Sequence, residues 1–188
     1  MAEFLIPGGV DLPDPSAVEE GYTQEEIQGL WRFEVSAGAD RLSPLLCRLI
    51  SCISEPGYLF MELPGADDQP VTYYLDGLSS QGMVGLFRRY EALLINDASL
   101  SFGFGSHEKD EELTCDPCKV LTLWVTDPAP LRQELAALSL PCRDTLRTLW
   151  DVVTPENPLT CSPVQVDDAD LQTILDELSE FGIYRAEK

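Results

Sequence analysis

Apolar residues recur along this chain in two periods, one close to 3.6 and one close to 2, and the switches between them mark out its elements. Ile27, Leu30 and Trp31 fall at helical spacing behind Thr23-Gln24-Glu25-Glu26, a capping-box pattern, so a short helix is expected there. Ser43-Pro44 is a second start signal, and the helix it opens presents Leu45, Leu46, Leu49, Ile50 and Ile53 to one side before Glu55-Pro56-Gly57 stops it. Tyr58 to Leu63 and Val71 to Leu75 are β-rich runs on either side of Pro64-Gly65-Ala66-Asp67-Asp68-Gln69-Pro70, which predicts a long hairpin turn. From Ser79 to Ile95, Met83, Leu86, Phe87, Tyr90 and Leu94 form one helical stripe, which outweighs Gly82 and Gly85 at up to about 1 kcal/mol each.

Leu100 to Phe104 reads as a strand. Val120 to Val125 reads as another, apolar on nearly both faces and therefore central. Between them runs a polar, acidic excursion from Gly105 to Cys118. Leu131 to Leu138 and Asp144 to Val153 predict two short helices joined at Pro141-Cys142. A proline-broken loop from Pro155 to Pro163 leads to a last helix, capped by Asp167 or Asp168, with Leu171, Ile174, Leu175, Leu178 and Phe181 on its apolar face. The order predicts a single α+β domain over 22–188. Its sheet is mostly antiparallel, of about four to six strands, built as two strand-strand-helix halves with flanking helices. Residues 1–21, with three prolines and acids but no base, read as a loosely held N-terminal arm.

Charge changes this picture more than composition does. Hydrophobic residues make up 44% of the 188, enough for a core, but 33 Asp and Glu against 12 Lys and Arg leave a net charge of -21. Such a field repels phosphates, and no basic run overrules it, so nucleic acid and anionic membrane surfaces are excluded as partners; a basic protein is favoured. The N-terminus lacks the positive flank and apolar run of a secretion signal. A cytoplasmic protein with six free cysteines is therefore expected.

The most motif-like chemistry is Cys115-Asp116-Pro117-Cys118. A C-x-x-C pair can hold zinc or cycle as a dithiol, but this one precedes a strand rather than opening a helix, and no second pair completes four ligands. A tight turn with two incidental thiols accounts for it. No cofactor is favoured, with zinc at Cys115, Cys118 and His107 as the alternative. His107 is the single histidine, on a charged loop. Ser106, His107 and Glu108 are adjacent and cannot fold back into a triad, and no nucleophile elbow surrounds Ser106. Gly103 and Gly105 lack the rest of a phosphate loop and read as a bulge or bent strand edge. Arg88-Arg89, the sole adjacent basic pair, reads either as offering one member to a buried ion pair or as a solvated helix flank.

Two acidic groups stand out. Glu108, Asp110, Glu111 and Glu112 lie in the excursion, and on the last helix Asp170, Glu177 and Glu180 lie away from its apolar stripe with Asp176 at the flank. These form a candidate docking face for a basic protein. The reading they support is a non-enzymatic interaction domain, such as an immunity or inhibitor protein that neutralises a basic toxin or nuclease. Two alternatives remain open: a small enzyme or ligand- or zinc-binding domain with its site at 103–118, and a structural subunit of a larger assembly.

Overall fold

The computed structural model describes residues 4–65 and 69–186. In chain order the elements are β1 (Val10–Asp11), β2 (Gly21–Ile27), β3 (Leu30–Ser36), α1 (Ala39–Ile50), β4 (Gly57–Leu63), β5 (Val71–Leu78), α2 (Ser80–Asn96), β6 (Ser101–Ser106), β7 (Glu112–Cys115), β8 (Leu121–Val125), α3 (Ala129–Ala137), β9 (Thr160–Cys161), α4 (Leu171–Ser179) and β10 (Tyr184–Arg185). Eight strands form one antiparallel sheet in the order β10-β5-β4-β6-β7-β8-β3-β2, and β1 pairs with β9 in a small second ribbon. The fold is α+β, as the order of elements predicts, but with more strands. In the middle of the sheet β6, β7 and β8 form a meander, so β7 adds a third strand to the second of the two expected halves.

Alternation decides which side of the sheet is buried. Phe33, Val35, Leu59, Met61, Leu75, Phe102, Phe104, Leu113, Leu121 and Leu123 point to one face and are buried among residues of α1, α2, α3 and α4. Each such aliphatic or aromatic side chain contributes about 1.5–3 kcal/mol when fully buried. Helix α1 supplies Leu42, Leu45, Leu46, Leu49 and Ile50 at helical spacing, and α2 supplies Met83, Phe87, Tyr90 and Leu94. Phe87 stacks on Phe102, joining the helix layer to the middle of the sheet.

Several local expectations are overturned. Residues 23–31 form a hairpin rather than a helix: Gln28 and Gly29 both take positive φ, 55° and 87°, and close a two-residue turn between β2 and β3. Such a turn matches the twist of paired strands, and over 32–35 burial alternates, with Phe33 and Val35 buried and Arg32 and Glu34 half-buried. Helix α1 begins at Ala39 after Gly38, so Pro44 lies inside it and takes one backbone donor out of the ladder. Residues 144–153 hold only a short 3-10 turn, Leu149–Val152, closed by Thr148 and Asp151 in a reciprocal cap. Asp167 and Asp168, both with positive φ, make the tip of a tight turn between Val166 and Ala169; the cap of α4 is Asp170, whose carboxylate accepts from Thr173 N. Strand β7 occupies the excursion that looked irregular.

Where the sequence reads as a loose arm, Val10, Leu12 and Val18 are buried with Ala98, Cys118 and Leu149 in a second cluster, beside the C-terminus of α2 and the β7–β8 turn. Ser162 N donates to Gly9 O, Gly9 N donates to Asn96 O, and Ala98 N donates to Ser162 O, so this segment is strapped to the sheet domain. Asp67 and Asp68, in the expected hairpin turn, lie outside the described residues. Among the described residues no helix is long and apolar enough to cross a membrane.

Candidate functional site

Strand pleating sends alternate side chains to the face opposite the helices, and that face is uncovered among the described residues. Cross-strand register builds it in rows. Tyr184 lies opposite Tyr74, Tyr74 opposite Phe60, Phe60 opposite Gly103, Gly103 opposite Thr114, Thr114 opposite Thr122, and Thr122 opposite Glu34. The adjoining row carries Tyr58 opposite Gly105, then Glu112, Trp124, Arg32 and Glu25. Tyr58, Tyr74, Glu34, Glu112, Thr114, Thr122 and Trp124 are half-buried, held by neighbours on the sheet with their outer surfaces open.

Gly103 and Gly105 serve this face. A Cβ on Gly103 would run into the Phe60 ring, and one on Gly105 into the Tyr58 ring, so each glycine lets an aromatic side chain lie flat across its strand. They sit in a central strand, not at a bulge or an edge as their sequence context suggests. The rings form a continuous cluster: Tyr58 is 5.9 Å from Tyr74, 6.5 Å from Phe60 and 5.0 Å from the His107 ring, and Tyr74 is 6.1 Å from Tyr184.

Carboxylates tie the polar ends of these rings. Tyr58 donates to Glu112 at 2.7 Å, Tyr184 donates to Asp76 at 2.7 Å, and His107 Nε2 lies 3.0 Å from the other oxygen of Asp76. Burial, followed by the bond to Glu112, pushes the Tyr58 phenol up, which keeps it protonated and donating. Glu25, Glu34, Glu62, Asp76 and Glu112 against Arg32 and His107 give the face an acidic balance, and Arg32 is already paired with Glu25 at 2.9 Å.

The structure divides the acidic residues singled out by sequence. Glu112 belongs to the open face. Its neighbour Glu111 is buried, accepts from Ser54 N and Thr126 Oγ1, and fastens the β6–β7 loop to the sheet, so it is structural. Glu108 and Asp110 are exposed in that loop. Asp170, Asp176, Glu177 and Glu180 lie on or beside α4 in the helical layer, so the two groups do not form one face. Asp170 is spent on its cap, Asp176 accepts from Gln172, and Glu177 accepts from Arg89 and Tyr90. The bond from Tyr90 and then that from Arg89 hold Glu177 below the usual carboxylate range. The Arg89 pair is exposed rather than buried, and Arg88 turns its Nε toward Cys47 Sγ.

The zinc alternative does not assemble. Cys115 points into the core opposite Phe102, far along the strand pair from His107, which is engaged with Asp76. Burial raises the Cys115 thiol to about 12, so it is inert as a nucleophile. No group of three or more potential metal-ligating His, Cys, Asp or Glu side chains occurs among the described residues. Ser106 Oγ accepts from the backbone of Glu108 and Lys109 in a local turn and does not face His107 as a nucleophile.

No protein-family model, no curated protein and no solved structure matches this chain. Its function is therefore argued from the face itself. Tyr58, Tyr74, Trp124 and Tyr184 are absent from the sequence reading because period 2 shows that a strand has two faces without showing which one a helix layer covers. The G-F-G triplet opposite a Y-L-F triplet was the available signal.

Proposed function

We propose that this protein is a non-enzymatic interaction domain whose uncovered sheet face docks a basic protein, in the manner of an inhibitor or immunity protein. The observation that carries this reading is the aromatic and carboxylate surface formed by Tyr58, Tyr74, Tyr184 and Trp124 with Glu34, Asp76 and Glu112. Tyrosine and tryptophan supply large contact area at low entropic cost, and their rings attract the cationic ends of Lys and Arg. The carboxylates beside them, on a chain of net charge -21, steer such a partner in. A rigid eight-stranded sheet presents these groups with little reordering on binding. The hollows at the surface of the helical layer, such as that of about 370 Å³ between α2 and α4, are lined by neither His107, Cys115 nor Cys118, which favours docking over chemistry at 103–118.

The test is native mass spectrometry of the protein isolated gently from its own cells, beside a Glu34→Lys/Glu112→Lys variant. The reading expects the wild type to retain a stoichiometric basic polypeptide and the variant to lose it. A bare wild-type chain, or equal retention by both, would count against it.

A further inference from the structure

We propose that Cys118 and Cys161 are a redox modification site, a thiol pair that closes to a reversible disulfide and locks the N-terminal strap onto the sheet domain. The sequence draws attention to Cys115 with Cys118, but the two point to different places. Cys115 enters the main core, whereas Cys118, in the β7–β8 turn, joins the second cluster and has its Sγ 3.9 Å from Cys161 Sγ on β9. A disulfide needs sulfurs about 2.0 Å apart, so roughly 2 Å of approach closes the bond, a distance within reach of side-chain rotation and slight movement of a two-residue strand.

The two thiols have different access. Cys161 is exposed and Cys118 is buried. Burial, then the neighbouring Cys161 and Asp116, push the Cys118 thiol up, so Cys161 is the sulfur that meets an oxidant first and Cys118 the one that resolves. With a small disulfide such as oxidised glutathione, Cys161 Sγ, having given up its proton, attacks one sulfur. A mixed disulfide forms and one glutathione thiolate leaves. Cys118 then loses its proton and attacks Cys161 Sγ, forming the internal bond and expelling the second thiolate. The protein thiols give up two electrons and two protons, and the small disulfide is reduced to two thiols.

The position gives the bond a consequence. Strand β9 holds β1 through Val10 and Cys161 in register, Ser162 N donates to Gly9 O, and Ala98 N donates to Ser162 O. The rest of the strap is held by non-covalent contacts alone, among them Gly8 N and Gly9 N donating to Asn96 and Asp14 N donating to Asn157. A covalent link from β9 to the β7–β8 turn ties it to the large sheet.

The test uses the full chain incubated in a glutathione buffer rich in the oxidised form, then alkylated under denaturing conditions. The expected product is lighter by two hydrogens before alkylation, takes label at four of its six cysteines, and yields a peptide linking Cys118 to Cys161. In the exposed-site variant Cys161→Ser the link is absent, while Cys142→Ser leaves it intact. Amide exchange at Gly9 and Ser162 is expected to slow by about tenfold or more on oxidation. Six labelled cysteines, a glutathione adduct left on Cys161 with Cys118 still free, or a link between another pair would overturn the site. Unchanged exchange would overturn its locking role.

Discussion

The cost of adding a side chain is set at Gly103 by the Leu113 backbone carbonyl together with the Phe60 ring, and at Gly105 by the Tyr58 ring. Gly105→Ala forces Tyr58 off its position and is expected to destabilise the protein by about 1–3 kcal/mol, with loss of the Tyr58 bond to Glu112. A urea midpoint shift with unchanged slope checks this. Asp97 is the polar counterpart. Fully buried, it accepts from Ser99 N, Ser99 Oγ and Val164 N, while its own carbonyl accepts from Lys119 Nζ at 2.6 Å. Burial lowers the Lys119 ammonium, and the Asp97 carboxylate works against that shift. Asp97→Ala leaves donors unpaired and a buried cation less compensated, and about 3 kcal/mol of destabilisation in the same measurement is expected. Neither residue was legible in the sequence: one more Asp and one more Lys in a charged chain carry no sign of burial until the fold places Lys119 beside Asp97.

Among the elements, legibility followed the strength of periodicity. Helix α2 and strands β4, β5 and β8 were plain because their apolar spacing runs unbroken over the whole element. The β2–β3 hairpin was misread because Thr23 to Glu26 satisfies a helix start locally while Gln28-Gly29 lacks the asparagine or aspartate that usually signals such a turn. Gln28 holds φ 55°, a region asparagine occupies more readily, so Gln28→Asn is expected to raise stability by a few tenths of a kcal/mol and Gly29→Val to lower it by about 1 kcal/mol or more, both read by thermal melts. The docking of α4 onto α2 carries a pH dependence. Because the folded state depresses the Glu177 carboxyl, its contribution is fully present above the ordinary carboxylate range and fades as pH falls through the lowered folded value. Amide exchange in α4 should accelerate on acidification, and Glu177→Gln should remove that part of the response.

At the scale of the whole molecule, the charge of -21 acts in two ways. It repels itself, so raising the salt from about 20 mM to about 200 mM should raise the thermal midpoint by a few degrees through screening. Under the proposed reading it also steers in a cationic partner, an expectation that charge alone raises. Where such a partner sits was not legible, because the candidate acids divide between a helix whose carboxylates are partly spent on caps and pairs and a sheet face whose aromatic residues are recognisable only once strand order and the helix layer are known. The single measurement that separates these is an amide and side-chain NMR titration of the full chain with a short Lys- and Arg-rich peptide at about 50 mM and about 300 mM salt. Shifts concentrated on Tyr58, Tyr74, Trp124, Tyr184 and Glu112, and weakened at high salt, are the predicted result. Shifts centred on α4, or spread evenly over all acidic residues, would contradict the claim that the open sheet face is the docking surface.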